Sequence, residues 1–372
     1  MKVLFMANIP SPYRVDFFNE LGRYCDLTVT FEGRTATDRD SNWRAGEFQN
    51  FKPIFLKGFR TGYDKFLCLD IISIIKTGFD HIIVGGYSTP TAILAIEYMR
   101  LRNTAFWMEA DGGMIADDNQ LKYRIKKHFI SSASGWFSSG KTTTEYFAHY
   151  GADKLRIYEY PFTSLHESDI LPATLTYGQK QEFRKKLGIE ESGKMILTVG
   201  RFSYMNGYGK GFDVLIKAMS CCSNGCSLYI VGDEPTSDFL KMKKDLKLDN
   251  VFFVGFKSKE SLQEYYMAAD LFCLQTRGDV WGLVVNEAMA KGLPVITTNK
   301  CVAGLELVQD GIDGYIIDAE DYRALSDRIT HLLSQPILLQ EMSNDALERI
   351  RPYTIEKMAS VHREILQGQR LS

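Results

Sequence analysis

The sequence predicts an α/β protein of two domains, each a parallel sheet wound with helices on both faces. Short apolar runs of strand length alternate with helix-length segments along most of the 372 residues, which is typical of such sheets. The alternation breaks once, between Phe162 and Phe183, where Pro172 and several Ser, Thr and Gly residues predict a linker. A chain of this length also exceeds what one hydrophobic core usually organises.

The predicted domains are residues 1–170 and 171–350, followed by a helical segment at 351–372. In the first domain we expect a helix near 15–24 and strands at 2–7, 27–31, 81–84, 104–108, 135–137 and 155–158. In the second domain the expected strands are 195–199, 227–231, 251–254, 271–274, 295–298 and 314–317. Packing of the last helix back onto the first domain is one placement that the sequence allows without showing it.

Composition and charge favour a soluble globular enzyme. The hydrophobic fraction is 45%, the charged fraction 24% and the formal net charge -2, which argues against a dedicated nucleic-acid binder. The cysteines follow no usual zinc spacing, so reduced thiols in the cytoplasm are the simpler expectation. No segment has the roughly 20 apolar residues of a membrane span, and the first residues do not resemble a signal peptide. We therefore expect a cytoplasmic protein, with the inner face of a membrane as a second location.

One stretch, residues 279–296, predicts a ligand site. It lies between the apolar strands expected at 271–274 and 295–298. Helical spacing begins at Leu283 and ends near Gly292, a typical C-terminal cap, with Pro294 just beyond it. The predicted order is therefore strand, loop, helix and strand.

Two acids flank the start of this predicted helix. Asp279 lies in the loop before it, and Glu287 lies about one and a half turns into it. Gly282 lets a ligand approach the backbone, and the free amides of the first turn, at Leu283 and Val284, suit a diphosphate. The stretch therefore predicts an anion site with two acids placed to bind sugar hydroxyls.

Other polar and glycine residues of the second domain follow its predicted strands. Arg201, Lys210, Gly232 and Phe256 lie in loops that begin where strands end, so they should gather with residues 279–287 at one edge of the sheet. Each residue alone is weak evidence for a ligand site, because a single surface cation or turn glycine is common. Together they are what a nucleotide diphosphate attached to a sugar requires.

The first domain has a smaller set of candidates at its corresponding edge. Tyr13 and Arg14 follow the first strand, Gly86 follows a later one, and Glu109 and Asp111 follow the next. We interpret Glu109 and Asp111 as catalytic candidates, with Asp111 slightly favoured, and the other three as acceptor-side residues. A solvated Arg14 and a Gly86 that serves only packing are the alternatives.

The segment 121–130 predicts a basic amphipathic helix. Lys122, Arg124, Lys126 and Lys127 lie among apolar residues, which suits contact with an anionic membrane surface or steering of a phosphorylated acceptor. A solvated helix face is the alternative interpretation.

The second domain resembles family 4 of the retaining glycosyltransferases. The matching stretches are Gly200-Arg201 with 210–216, then 230–232, 251–256 and 286–296, and the likeness is strong over 193–317 and loose in the first domain. The resemblance implies the GT-B architecture, in which two Rossmann-like domains face each other with a cleft between them. It also implies a nucleotide-sugar donor on the second domain and an acceptor held mainly by the first.

Roles for individual residues follow from this resemblance. Arg201 and Lys210 are expected to neutralise the diphosphate, and the backbone near Phe256 to meet the base. Glu287 is expected to bind the ribose, and Asp279 to touch the transferred sugar near its reacting carbon.

No metal or other cofactor is expected. In the family, the leaving phosphate itself helps to take the acceptor's proton, and this scheme requires no metal. The triplet at 38–40 resembles a metal-binding motif of some sugar transferases, but a short charged triplet is usually exposed loop.

The sequence departs from the family pattern in several places. Asp279 stands where a Glu is usual, so its carboxylate reaches one methylene less. Residues 10–14 replace the glycine-rich loop that often follows the first strand. The frequent catalytic histidine of the first domain has no clear counterpart, and Glu109 or Asp111 is expected to fill its place.

These observations predict a retaining glycosyltransferase that adds one sugar to a saccharide or lipid-linked acceptor in surface polysaccharide assembly. Two alternatives stay open. One is a non-catalytic nucleotide-sugar-binding subunit, which the unusual Asp279 and the altered first loop would suit. The other is a sugar-nucleotide epimerase on the same architecture, which the combined cations and acids of the second domain disfavour.

Overall fold

The computed structural model describes residues 1–35, 46–62, 65–189, 193–222 and 225–368, so the triplet at 38–40 lies outside the described residues. The chain divides into two compact units, residues 1–166 with 353–372 and residues 167–352. The first boundary falls four residues before the predicted one at 170 and 171. The second falls two residues after the predicted one at 350 and 351.

The first unit is a parallel sheet flanked by helices. Its strands are β1 (Lys2–Ala7), β2 (Asp26–Phe31), β3 (Lys52–Phe55), β4 (Phe59–Gly62), β5 (Lys65–Leu67), β6 (His81–Val84), β7 (Trp107–Ala110), β8 (Gly135–Ser138) and β9 (Ile157–Glu159). Its helices before the linker are α1 (Pro12–Leu21), α2 (Ile71–Ile75), α3 (Pro90–Leu101), α4 (Gln120–Ile130) and α5 (Lys141–His149). The sheet order is β3-β2-β1-β6-β7-β8-β9, and β4 and β5 pair with each other as a separate two-stranded antiparallel sheet.

The strand expected at 104–108 begins later, at Trp107. The preceding residues form the turn that follows the end of α3. In this turn Asn103 has a φ of 50°, and the Thr104 amide donates to the Met99 carbonyl at 2.8 Å. Strand pairing starts only at Trp107, opposite Ile83. As a result the strand extends through Ala110, and Glu109 lies inside it while Asp111 lies just past its end.

The second unit repeats the same construction. Its strands are β10 (Lys194–Val199), β11 (Cys226–Val231), β12 (Val251–Gly255), β13 (Leu271–Leu274), β14 (Val295–Thr298) and β15 (Gly314–Ile317), paired in parallel in the order β12-β11-β10-β13-β14-β15. Its helices are α6 (Tyr177–Lys186), α7 (Phe212–Met219), α8 (Ser237–Asp245), α9 (Lys259–Ala268), α10 (Leu283–Met289), α11 (Val302–Leu307), α12 (Tyr322–Leu333) and α13 (Pro336–Ile350). Every residue of β13 and β14 is buried, as expected for strands covered on both faces.

Helix α6 occupies part of the stretch expected to be a linker, so that part of the prediction was wrong. The helix begins with a capping box in which the Thr176 hydroxyl and the Gln179 side chain satisfy each other's backbone amides. Its anchor is ionic, since buried Arg184 donates to Asp270 at 2.6 Å and to the Ala268 carbonyl at 2.9 Å. Polar anchoring leaves no apolar periodicity to detect in the sequence.

The last helix, α14 (Ile355–Leu366), belongs to the first unit and packs against α1. Its first amide, that of Ile355, donates to the Leu165 carbonyl at 2.7 Å, and the Thr354 hydroxyl caps the helix. Its inner face buries Met358 and His362 completely. The structure therefore places this helix where the sequence left the question open.

None of the helices in the described ranges is long and apolar enough to cross a membrane.

Candidate functional site

The carboxyl ends of β10, β11 and β12 meet in backbone contact. A Cβ atom added at Gly232 would lie 1.8 Å from the Gly200 carbonyl oxygen, so only glycine permits this approach. The Gly232 amide in turn donates to the Gly255 carbonyl at 3.3 Å. Gly232 thus has a packing role that its turn position did not reveal, and its contact with a donor stays a prediction.

The structure brings two of the predicted donor residues into direct contact. Lys210 Nζ lies 2.5 Å from Asp279 Oδ2, and their side chains are 17% and 19% exposed. The ring of Tyr204 is also close, with its centroid 5.7 Å from Nζ. A phosphate that bound this partly buried cation would compete with Asp279 for it.

The loop before α10 is shaped by Gly282. Its φ of 105° is a conformation that other residues rarely adopt, and an added Cβ would lie 2.8 Å from Cys301 Sγ. Buried Trp281 donates from Nε1 to Asn286 Oδ1 at 2.8 Å, which holds the loop against the helix it precedes. Leu283 and Val284 are half-buried at the helix start, where the sequence predicted them.

Glu287 is oriented by a residue that the sequence pattern did not single out. The hydroxyl of Tyr266, a fully buried residue of α9, donates to Glu287 Oε2 at 2.8 Å. One turn further on, Lys291 donates to the Asp169 carbonyl. Burial lowers the pKa of Lys291, although Asp169 and Glu287 both favour its charged form. Glu287 is therefore a half-buried carboxylate held in a defined direction.

Two further predicted donor residues, Arg201 and Phe256, follow strands β10 and β12 of the same sheet. Arg201 is half-buried directly after the Gly200 corner, and Phe256, just past β12, keeps 44% of its surface exposed. Phe256 therefore presents an aromatic face to solvent, and its contact with a base stays a prediction.

The candidates of the first unit also converge. Arg14 donates to Glu109 at 2.7 Å and to Asp111, and the Tyr13 hydroxyl donates to the other oxygen of Asp111 at 3.0 Å. Glu109 accepts a further bond of 2.8 Å from the Tyr160 hydroxyl. The alternative of a solvated Arg14 is wrong, because this arginine is buried between two acids.

The two acids of this cluster differ in access and in proton affinity. Burial alone would raise the pKa of Glu109, but the Arg14 guanidinium and His362 outweigh it and bring the pKa down to about 2. Burial raises the pKa of Asp111, with Arg14 opposing and Glu109 adding to the shift. The Glu109 side chain is fully buried, whereas that of Asp111 is 31% exposed. Asp111 is thus the acid that can reach a substrate, and Glu109 is a fixed charge behind it.

His362 of α14 lies close to Glu109 of this cluster. No local sequence pattern had predicted that this histidine belongs to the site. Its Nδ1 donates to the Met358 carbonyl at 2.8 Å, and its Nε2 lies 3.7 Å from Glu109 Oε2. The imidazole stacks on Phe137 with 4.4 Å between ring centroids. The terminal helix therefore contributes directly to the electrostatics of the acids at the end of β7.

Gly86 follows β6 in the same unit and is half-buried, with its amide bonded to the Val84 carbonyl at 2.9 Å. Helix α3 starts only at Pro90, four residues later. The acceptor-side role of Gly86 therefore stays a prediction.

The basic helix α4 offers fewer free cations than the sequence suggested. Lys126 lies 2.6 Å from Asp118 and also donates to the Tyr150 hydroxyl at 3.2 Å, so it serves the interior of the unit. Lys122, Arg124 and Lys127 are exposed, as is the apolar residue Leu121 at 69%. Contact with a membrane stays a prediction that rests on these exposed residues.

Sequence comparison finds similarity to known glycosyltransferases, mainly in the second unit. Residues 179–349 match the family model described as glycosyl transferases group 1. An uncharacterized glycosyltransferase of Methanocaldococcus jannaschii is 30% identical over 168 residues, which are 43% of this chain and 41% of that protein. The lipopolysaccharide core biosynthesis mannosyltransferase LpsB of Rhizobium meliloti is 29% identical over 191 residues, 48% of this chain and 53% of that protein. The matches span about half the length of these relatives.

Solved structures share the whole fold. HepE of Anabaena in complex with UDP superposes with a TM-score of 0.78 at 16% identity, covering 99% of this chain and 100% of that one. WaaG, a glycosyltransferase involved in lipopolysaccharide biosynthesis, gives a TM-score of 0.67 at 17% identity, covering 98% and 100%. The prediction of two Rossmann-like parallel sheets of the GT-B type is thereby confirmed.

Proposed function

We propose that this protein is a retaining glycosyltransferase of family 4 that moves a sugar from a nucleotide-sugar donor to a saccharide or lipid-linked acceptor. The observation that carries the proposal is the pairing of Lys210 with Asp279, in a segment that matches the family model of group 1 glycosyl transferases. Glu287, on the helix that follows Asp279, is oriented by Tyr266. A cation, a nearby acid and a second oriented acid suit a diphosphate, the transferred sugar and the ribose.

The donor is proposed to bind across the edge of the second sheet. Lys210 and Arg201 meet the diphosphate, and Glu287, held by Tyr266, accepts hydrogen bonds from the ribose hydroxyls. Phe256 lies beside the base. Crystal structures of HepE contain UDP and UDP-glucose, which makes UDP-sugars the first donors to test.

The transfer step needs a stabilised leaving group. The bond between the sugar's anomeric carbon and the phosphate oxygen breaks, a bond to the acceptor oxygen forms on the same face, and the acceptor's proton passes to the leaving phosphate. Lys210 and Arg201 stabilise the negative charge that develops on this phosphate. Because the diphosphate of the bound donor engages Lys210, Asp279 is free to accept a hydrogen bond from a hydroxyl of the transferred sugar.

The acceptor is proposed to meet the first unit at Asp111. The carboxylate is partly exposed and is oriented by Arg14 and Tyr13, so it can accept a hydrogen bond from a sugar hydroxyl. A lipid-linked acceptor would place the protein at the inner face of a membrane, with the exposed residues Lys122, Arg124 and Lys127 of α4 toward it. The name of LpsB supports a role in surface polysaccharide assembly.

A donor panel tests the proposal. The protein is incubated with UDP-, GDP-, ADP- and CMP-sugars, with and without saccharide acceptors, and released nucleotide and product are measured. Acceptor-dependent release with a retained anomeric configuration supports the proposal. Binding without release identifies a nucleotide-sugar-binding subunit, which the unusual Asp279 and the altered first loop would suit. An isomerised donor identifies an epimerase, and binding of no donor overturns all three.

A further inference from the structure

Arg277 follows β13 and lies two residues before Asp279, and every N–H group of its guanidinium is engaged. Nε and one terminal nitrogen donate to the two oxygens of Glu320, at 2.5 and 2.8 Å. Both terminal nitrogens donate to the two oxygens of Asp213, at 2.7 and 3.0 Å, and one of them also donates to the Tyr208 carbonyl at 2.5 Å. These contacts use all five donors of the side chain.

The partners of Arg277 place it between the two segments that carry the proposed donor residues. Its own amide donates to the Gly209 carbonyl at 3.0 Å, and the hydroxyl of the preceding Thr276 reaches the same carbonyl at 3.1 Å. The carbonyls of Tyr208 and Gly209 immediately precede Lys210. The backbone leading to Lys210 is therefore bound to the backbone leading to Asp279 through Arg277 and its neighbour.

The segment that carries Lys210 has little regular structure of its own to hold it. Met205 and Asn206 both have left-handed backbone angles, with φ of 50° and 53°, and a non-glycine residue seldom adopts them. Two such residues in succession persist only where surrounding contacts hold them. The anchoring of Tyr208 and Gly209 supplies such contacts at the end that leads into Lys210.

We propose that Arg277 is a positioning residue that sets the place of Lys210 relative to Asp279 and thereby tunes binding of the donor diphosphate. The inference rests on the proposed function, since it assigns Lys210 to the diphosphate. Arginine is required because its planar fork engages two carboxylates and a carbonyl at once, which a lysine ammonium cannot do. Burial of Asp213 makes this arrangement costly to rearrange.

A double-mutant cycle on the full chain tests the proposal. Binding of UDP, or of the nucleoside diphosphate that the donor panel identifies, is measured by calorimetry for the wild type, Arg277→Lys, Lys210→Met and the double variant. Arg277→Lys alone should weaken binding about threefold to tenfold, within the range for residues of one network. In the Lys210→Met background the same change should have almost no effect, because the group it positions is gone. Equal effects in both backgrounds overturn the proposal.

A milder variant covers the case in which Arg277→Lys does not fold. Glu320 is the more exposed of the two acids that Arg277 contacts, with 68% of its side chain accessible. Glu320→Gln should therefore weaken the hold on Arg277 without disturbing the core. Glu348→Gln is the matched control, since Glu348 of α13 is 66% exposed and pairs with Arg351, the residue after that helix. Glu320→Gln should weaken nucleotide binding, again only when Lys210 is present, while Glu348→Gln should not.

The outcomes separate the two proposals. A wild-type protein that binds none of the panel nucleotides overturns the proposed function and this inference with it. A wild type that binds, with weaker binding in Lys210→Met but unchanged binding in Glu320→Gln and Arg277→Lys, overturns the inference alone. Thermal unfolding of each variant shows whether a lost affinity reflects a lost fold.

Discussion

Glu287 carries the plainest expectation for a single residue. Its carboxylate is fixed by Tyr266 and is proposed to bind the ribose. Glu287→Ala should weaken nucleotide binding by about 1.5 to 3 kcal/mol, the usual worth of a hydrogen bond to a charged group. Tyr266→Phe should cost less, about 0.5 to 1.5 kcal/mol, because it removes only the orienting bond. Calorimetry with UDP measures both, and an unchanged affinity in Glu287→Ala would remove this residue from the ribose role.

Asp279 should behave differently, because its proposed partner is the transferred sugar. Asp279→Asn leaves Lys210 without its 2.5 Å ion partner, so the affinity for UDP should hold or rise. Turnover with the donor sugar and acceptor should fall more than the affinity changes, since the lost contact is to the reacting part of the donor. Steady-state kinetics beside UDP calorimetry separates the two effects. Turnover equal to that of the wild type would show that Asp279 is structural.

Residue types and their place after strands were enough to predict that several side chains gather at one edge of the sheet. Lys210 and Asp279 follow different strands, and the ends of parallel strands share an edge, but the direct ion pair between them was not predicted. Tyr266 and Arg277 were not foreseeable, because a buried tyrosine on a helix and a lone arginine in a loop are common. Their roles depend on distances that only the packed structure defines.

At the scale of elements, α14 is held to α1 by a histidine bridge. His166 Nδ1 lies 3.0 Å from Glu356 Oε1, and its Nε2 lies 3.8 Å from Asp16 Oδ2. Asp16 and Glu356 together raise the pKa of His166 from 6.5 to about 9, against the opposing effect of burial. Because the folded pKa is raised, this contribution to stability is complete below pH 6.5 and is lost as the pH rises toward 9.

The expected result is a pH-dependent difference between the wild type and His166→Gln. Urea unfolding should show a larger loss of unfolding free energy between pH 6 and pH 9.5 in the wild type than in the variant, roughly over the window of the shift. His331→Gln is a suitable control, since His331 lies on α12 and bonds to the Gln335 amide instead of a carboxylate. Identical pH profiles for the wild type and His166→Gln would contradict the bridge.

Elements with apolar repeats were predictable, and polar or short ones were not. The buried strands β13 and β14 lie at the residues that the apolar runs indicated. Helix α6 was predicted to be a linker because its sequence lacks the apolar repeat of a packed helix. It is held in place by the ion pair between Arg184 and Asp270 instead. Strand β3 was missed because it has four residues and a proline, which weakens any strand pattern.

At the scale of the whole molecule, the return of the chain to the first unit was a placement that the sequence allowed but did not establish. Sequence spacing shows an amphipathic final helix but not which surface it covers. In the structure that helix brings His362 to within 3.7 Å of Glu109, 253 positions earlier in the chain. The proposed acceptor acid Asp111 shares Arg14 with Glu109, so its surroundings depend on the last helix of the chain.

A chain that ends at Pro352 should therefore lose the function of the first unit and keep that of the second. It lacks α14, whose fully or nearly fully buried side chains include Ile355, Met358, Ala359, Val361, His362 and Ile365. Each large apolar side chain among them contributes about 1.5 to 3 kcal/mol by burial, and the sum is comparable with the 5 to 15 kcal/mol that holds a typical domain folded.

The first unit of the shortened chain should become sensitive to protease, and acceptor-dependent transfer should be lost. Binding of UDP should persist, because the proposed donor residues lie between 201 and 287. A chain ending at Gly368, which keeps α14 whole, is the control, and transfer by the chain ending at Pro352 would show that α14 is dispensable.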